Sequence, residues 1–208
     1  MHLYIDLDGT LTDPFEGISK CIRYALERLD GRDPGDDALR SCIGPPLQVT
    51  FRELLDESRA GAALALYRER FADVGWRENR PYDGIHAALE ALCRDGHTLF
   101  VATTKPWTFA EKIVDHFGMA DYFTKVYGSE LDGTRVDKTE LLRWALPQQS
   151  AGETAAMIGD RKHDMIGARN NGLQAVGVLY GYGTAAELTG AGAERLVDSP
   201  AGLRGALT

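Results

Sequence analysis

Two aspartates one residue apart, Asp6 and Asp8, follow the short apolar run Leu3-Tyr4-Ile5 and lead into Gly9-Thr10. Carboxylates this close repel one another, which favours a cation or a shared proton between them. Magnesium suits such a pair, because it takes hard oxygen ligands, needs only a few from the protein and leaves positions for substrate phosphate. A carboxylate can also attack phosphorus directly. Gly9 lets the backbone turn sharply, and Thr10 adds amide and hydroxyl donors. Alone, Asp-x-Asp-Gly is more often a plain turn, so its meaning depends on what else arrives beside it.

Three further elements bear on that. Gly159-Asp160-Arg161-Lys162-His163-Asp164 follows the apolar run Ala155–Ile158. Asp160 and Asp164 are four apart, so a helix starting here brings both toward one cation; helix capping by Asp160 and a solvated Asp164 is the competing reading. Thr103, directly after Thr98–Ala102, offers a hydroxyl to a phosphoryl oxygen, as the neighbouring Thr104 and Lys105 can, or serves as an ordinary cap. Pro106 behind them fits a first helical turn. Lys138 opens a helical pattern, where a cation is unfavourable and calls for an anionic partner unless solvent supplies the screening.

The elements that must hold these residues alternate. Strand patterns at Leu3–Ile5, Thr98–Ala102, Ala155–Ile158 and Gln174–Val178, with weaker ones at 123–127 and 194–197, are separated by helical patterns over 84–94, 109–117, 138–146 and 163–170. Near-continuously apolar strands alternating with helices predict an α/β fold, a Rossmann-like parallel sheet with helices on both faces. In such sheets the site lies beyond the carboxyl ends of the strands. Asp6, Thr103 and Asp160 each follow a strand and so meet on one edge.

Residues 15–81 break the alternation with helical patterns only, over 17–29, 47–55 and 60–75. They predict a small inserted α-helical cap, joined near 12–15 and 80–83 to a core made of 1–14 and 82–208.

The set Asp6-Leu7-Asp8-Gly9-Thr10-Leu11-Thr12-Asp13, Thr103, Lys138 and Gly159-Asp160-Arg161-Lys162-His163-Asp164 resembles, in order and spacing, the four motifs of the haloacid dehalogenase (HAD) superfamily. The helical insert looks like its C1 cap, as in phosphoglycolate phosphatases and 5′-nucleotidase-like members. The resemblance implies a Mg²⁺-dependent phosphoric monoester hydrolase. Asp6 is then the nucleophile and a metal ligand, and Asp8 the general acid and base whose carbonyl also meets the metal. Thr103 and Lys138 hold the phosphoryl oxygens, with Thr104 the alternative to Thr103. Asp160 binds the metal, and Asp164 stands beside it as a ligand or just behind. Dehalogenases of this fold lack the second aspartate, so Asp8 favours phosphate esters. A phosphomutase of the same fold and a non-enzymatic phospho-acceptor module are the alternatives.

The implied cap closes over the site and selects the leaving group. Its candidates are Lys20 and Arg23, three apart on one helical face, and the free amides of the stiff turn Gly44-Pro45-Pro46-Leu47, with Lys105 on the core side. For Lys20 and Arg23 the plain alternative is a charged surface face. The formal net charge of −8 opposes binding to nucleic acid polymers and anionic membranes. The expected partner is a small phosphorylated molecule, and the chain a monomer or homodimer. Cys21, Cys42 and Cys93 are far apart with no CxxC, which reads as reduced thiols in a cytoplasmic protein. Neither a signal peptide nor a membrane-length apolar stretch is expected.

Overall fold

Successive side chains of a strand point to opposite faces, so the consecutive apolar residues Leu3, Tyr4 and Ile5 are all buried only where both faces are covered. In the computed structural model, which describes residues 1–149 and 152–207, all three have no exposed surface. They form β1 (His2–Ile5), the centre of a six-stranded sheet. The other members are β4 (Thr98–Pro106), β5 (Phe123–Ser129), β6 (Ala155–Gly159), β7 (Gln174–Val178) and β8 (Arg195–Val197). The order is β5-β4-β1-β6-β7-β8, with every pairing parallel. Register aligns the strand ends: Ile5 stands opposite Val101 on one side and Ile158 on the other.

The connections are α5 (Ile85–Arg94), α6 (Trp107–His116), α7 (Lys138–Ala145), α8 (Lys162–Asn170) and α9 (Ala185–Ala191), with α10 (Leu203–Ala206) last. On one face Tyr4, Phe100, Tyr127 and Met157 pack with Leu141 and Leu142 of α7 and Met165 of α8. Tyr4 and Phe100 stack with centroids 5.0 Å apart. Each such buried side chain contributes roughly 1.5–3 kcal/mol, which holds the site-bearing strand ends in fixed register.

The chain forms two compact units, 1–12 with 81–208, and 13–80. It leaves and re-enters the sheet unit through β2 (Thr12–Asp13) and β3 (Arg80–Pro81), which pair with each other. The second unit contains α1 (Phe15–Arg28), α2 (Asp36–Ser41), α3 (Leu47–Leu54) and α4 (Glu57–Asp73). Ile22 and Leu26 of α1, Leu39, Phe51, Ala63 and Phe71 are buried, and Tyr67 stacks on Phe71 at 5.5 Å. The Asp56 side chain accepts the Arg59 N–H at the start of α4, a cap worth about 1 kcal/mol.

Three local expectations are corrected. The strand expected to stop at Ala102 continues to Pro106, because pairing with β5 resumes at Pro106 opposite Ser129 after an irregularity. Pro106 is therefore the extended residue before α6, not part of its first turn; lacking an N–H, it ends a strand without losing a donor. The helix α2 lies between the expected helical patterns 17–29 and 47–55, where no helix is expected, since Leu39 is its single buried residue and supplies no apolar period. Among the described residues, no helix is long and apolar enough to cross a membrane, and the three cysteines form no disulfide.

Candidate active site

Because β1 ends at Ile5, Asp6 is the first residue past the sheet. Its N–H still donates to the Ile158 carbonyl at 2.9 Å, and its Oδ1 accepts the Leu7 N–H at 2.8 Å, which fixes the carboxylate. Gly9 has φ +84°, a left-handed conformation that favours glycine, and a Cβ there would collide with the Asp160 carboxylate. The first loop thus approaches the loop after β6 as closely as backbone allows.

Lys138 opens α7 and is only 3% exposed. Its Nζ lies 2.7 Å from Asp164 Oδ1 and 3.1 Å from Asp6 Oδ1, and it donates to the Ala102 carbonyl at 2.7 Å. One ammonium therefore ties together the residue past β1, the middle of β4 and the start of α8. Carboxylate oxygens of Asp6, Asp160 and Asp164 lie within 4.8 Å of one another. The Tyr182 N–H holds Asp160 Oδ2 at 2.8 Å, while Asp160 Oδ1 is buried without a hydrogen-bond partner. Asp164 also accepts the Arg161 N–H at 3.1 Å, so it steadies the helix start as well as facing Lys138.

Asp160, Asp164 and Lys138 are each shifted from their ordinary values. Burial, then the charges of Asp164 and Asp6, raises the Asp160 carboxyl well above the usual carboxylate range. Burial pushes Asp164 up to about 6 against the pull of Lys138. Burial disfavours the Lys138 ammonium, but Asp164 and Asp6 outweigh it and its pKa is raised. Lys138 pairs with Asp6 and Asp164 while Asp160 lies beside them, so ionising all three carboxyls would leave two negative charges unbalanced in a buried cluster. Hard oxygen donors, that charge and the orphaned Asp160 Oδ1 fit a divalent cation such as Mg²⁺.

Asp8 lies within electrostatic reach of Asp6 and Lys138. Its Oδ2 pairs with Lys105 Nζ at 2.5 Å, with side chains 19% and 7% exposed, and its Oδ1 is buried without a hydrogen-bond partner. Burial raises its pKa, and Lys105 opposes that only in part. Thr103 is buried within β4, its Oγ1 accepting the Lys105 N–H at 3.2 Å. Thr104 turns its carbonyl to the Ser129 hydroxyl at 2.8 Å.

The structure thus gathers Asp6, Asp8, Thr103, Lys105, Lys138, Asp160 and Asp164 in the sheet unit. Lys20, Arg23 and Gly44 belong to the helical unit. There Lys20 is held by Glu16 at 2.6 Å and Glu78 at 3.1 Å, and Arg23 by Asp33 at 2.8 Å and Asp36 at 2.6 Å; Gly44 is exposed with φ +107°. Sequence reasoning missed the pairing of Lys105 with Asp8 and the amide of Tyr182 on Asp160. The second left a trace in Tyr180-Gly181-Tyr182-Gly183, two glycines directly past a strand.

A sequence model of the haloacid dehalogenase-like hydrolases matches residues 4–178. The chain belongs to that family. A 5′-nucleotidase of Pseudomonas aeruginosa is 50% identical over 190 residues, covering 90% of this chain and 86% of that one. The tyrosine-protein kinase PtkA of Mycobacterium tuberculosis is 38% identical over 181 residues, 86% of this chain and 62% of that longer protein. The crystal structure of a predicted phosphatase from Clostridium acetobutylicum superposes with TM-score 0.91 at 41% identity, covering 99% of this chain and 97% of the other. This HAD hydrolase is therefore a phosphoric monoester hydrolase by type, and its six-stranded sheet is the HAD core.

Proposed function

We propose that this HAD hydrolase removes phosphate from a small-molecule monoester in a Mg²⁺-dependent reaction through an aspartyl-phosphate on Asp6, with nucleoside 5′-monophosphates as the first substrate class and phosphoglycolate-like acids as the second. The observation that carries the reading is the position of Lys138 between Asp6 and Asp164, beside a buried acid cluster with Asp8 two residues along.

In the first half-reaction an Asp6 carboxylate oxygen attacks phosphorus. The ester bond breaks, and the leaving oxygen takes a proton from Asp8. In the second, Asp8 removes a proton from water as that water attacks the same phosphorus, releasing inorganic phosphate and restoring Asp6. Lys138 and the Thr103 hydroxyl neutralise and orient the phosphoryl oxygens as charge spreads over them. Asp6, Asp160 and the Asp8 carbonyl would hold Mg²⁺, with Asp164 as a further ligand or a brace for Lys138; the bound cation supplies charge neutralisation for the transferring group. Lys105 steadies Asp8 or meets an anionic part of the substrate.

The nucleotide preference is supported by the 50% identical relative named a 5′-nucleotidase. Lys20, Arg23 and the Gly44 amide remain the proposed substrate contacts of the helical unit, which is the proposed cap. Three cysteines without a disulfide suit a cytoplasmic setting. The test is phosphate release from nucleoside monophosphates, phosphoglycolate and sugar phosphates, with Mg²⁺ and with chelator, following isomer formation as well for the sugars. The reading predicts metal-dependent release for one of the first two classes; no release from any of them by folded protein contradicts it.

A further inference from the structure

The segment after β7, Tyr180-Gly181-Tyr182-Gly183, carries no group used in the proposed reaction, yet it is built closely around Asp160. The Tyr182 amide occupies Asp160 Oδ2. A Cβ on Gly181 would lie well under 3.0 Å from the Asp160 carboxylate and from the Gly9 carbonyl, and one on Gly183 would press into the Asp160 carbonyl. Neither glycine has a positive φ, so backbone conformation does not require them. What requires them is room. Gly190 in α9 makes the contrast, since a Cβ there meets nothing within 4 Å. At the head of the segment Tyr180 packs edge-to-face on Tyr82 at 5.0 Å, which anchors the loop to the residue following β3.

We propose that Tyr180–Gly183 is a positioning element of the cation site, in which one amide and two side-chain-free residues fix Asp160 so that its unpartnered Oδ1 is presented to a divalent cation. The inference rests on reading Asp6, Asp160 and Asp164 as that site. Groups that orient a ligating carboxylate matter nearly as much as the ligand, and disturbing them weakens metal binding about 10–100-fold. A methyl on Gly181 presses on the Asp160 carboxylate and on the Gly9 carbonyl alike, so the readout is Mg²⁺ binding itself and not turnover.

The experiment is Mg²⁺ titration by calorimetry, with the Mg²⁺-induced rise in melting temperature as a second readout, on the full chain and its Gly181→Ala, Gly183→Ala and Gly190→Ala variants. Gly181→Ala is expected to weaken Mg²⁺ binding about tenfold or more and to shrink the thermal shift, with Gly190→Ala unchanged. If Gly181→Ala does not fold, Gly183→Ala carries the same expectation. Mg²⁺ affinity within twofold of wild type in folded Gly181→Ala or, where that does not fold, in Gly183→Ala overturns the positioning role. Failure of the wild type itself to bind Mg²⁺ overturns instead the cation reading beneath it, so the two failures are told apart.

Discussion

Lys105 Nζ lies 2.5 Å from Asp8 Oδ2, which gives the carboxyl proposed as proton donor a cationic partner of its own, distinct from the Lys138 that serves Asp6 and Asp164. Replacing Lys105 by Met leaves Asp8 without that partner and free to turn. Breaking a partly buried pair from one side costs on the order of 2–3 kcal/mol. Lys105→Met is expected to lower the melting temperature and to cut kcat about tenfold or more, measured by thermal unfolding and phosphate release. Unchanged kcat would show that Asp8 needs no such partner.

Lys138→Met removes the ammonium that offsets two carboxylates at once. Loss of one preorganised charge contact in a buried site costs about 10²–10³ in kcat. Steady-state phosphate release is expected to fall by that amount even at saturating Mg²⁺. A loss restored by raising Mg²⁺ would assign Lys138 to metal retention and not to the phosphoryl group.

Asp8→Asn tests proton donation through the leaving group. An alkoxide needs the proton and p-nitrophenolate scarcely does, so turnover of a nucleoside monophosphate should fall by about 10²–10⁴ and that of p-nitrophenyl phosphate by much less. Equal losses for both substrates contradict the acid role.

How much of this was readable beforehand follows from the range of each interaction. Asp6, Asp160 and Thr103 reveal their edge because each follows an apolar run in an alternating pattern, which is local information. The partner of Lys105 does not show, because it depends on β4 lying beside β1 and on β4 running past Ala102. Lys20 and Arg23 present the shared face that their spacing implies. Glu16 sits one turn back on the same helix, but the acid partners Glu78, Asp33 and Asp36 come from beyond it, where periodicity carries no signal. The short α2 hides for a related reason, since one buried leucine makes no pattern.

The helical unit offers a pH test. Glu78 is gripped by two Arg70 nitrogens at 2.7 and 3.1 Å and by Lys20. The Arg70 hydrogen bonds, against the opposing effect of burial, lower its pKa below the usual carboxylate range. A depressed carboxylate stabilises the fold above its unfolded pKa, and that contribution is lost as pH falls through the folded value. Glu78→Gln should therefore cost about 1 kcal/mol near pH 7, with the gap to wild type closing below about pH 4.3 in urea unfolding. A gap that stays constant into acid would mean the glutamate acts by packing alone.

The central claim is that Asp6 is the group that receives phosphate. Acid quenching during turnover with Mg²⁺, followed by mass spectrometry of the Asp6 peptide, reads it directly. The account predicts a phosphoryl group on Asp6 in the wild type, and neither that adduct nor turnover in a folded Asp6→Asn variant. Substantial phosphate release by Asp6→Asn would contradict it.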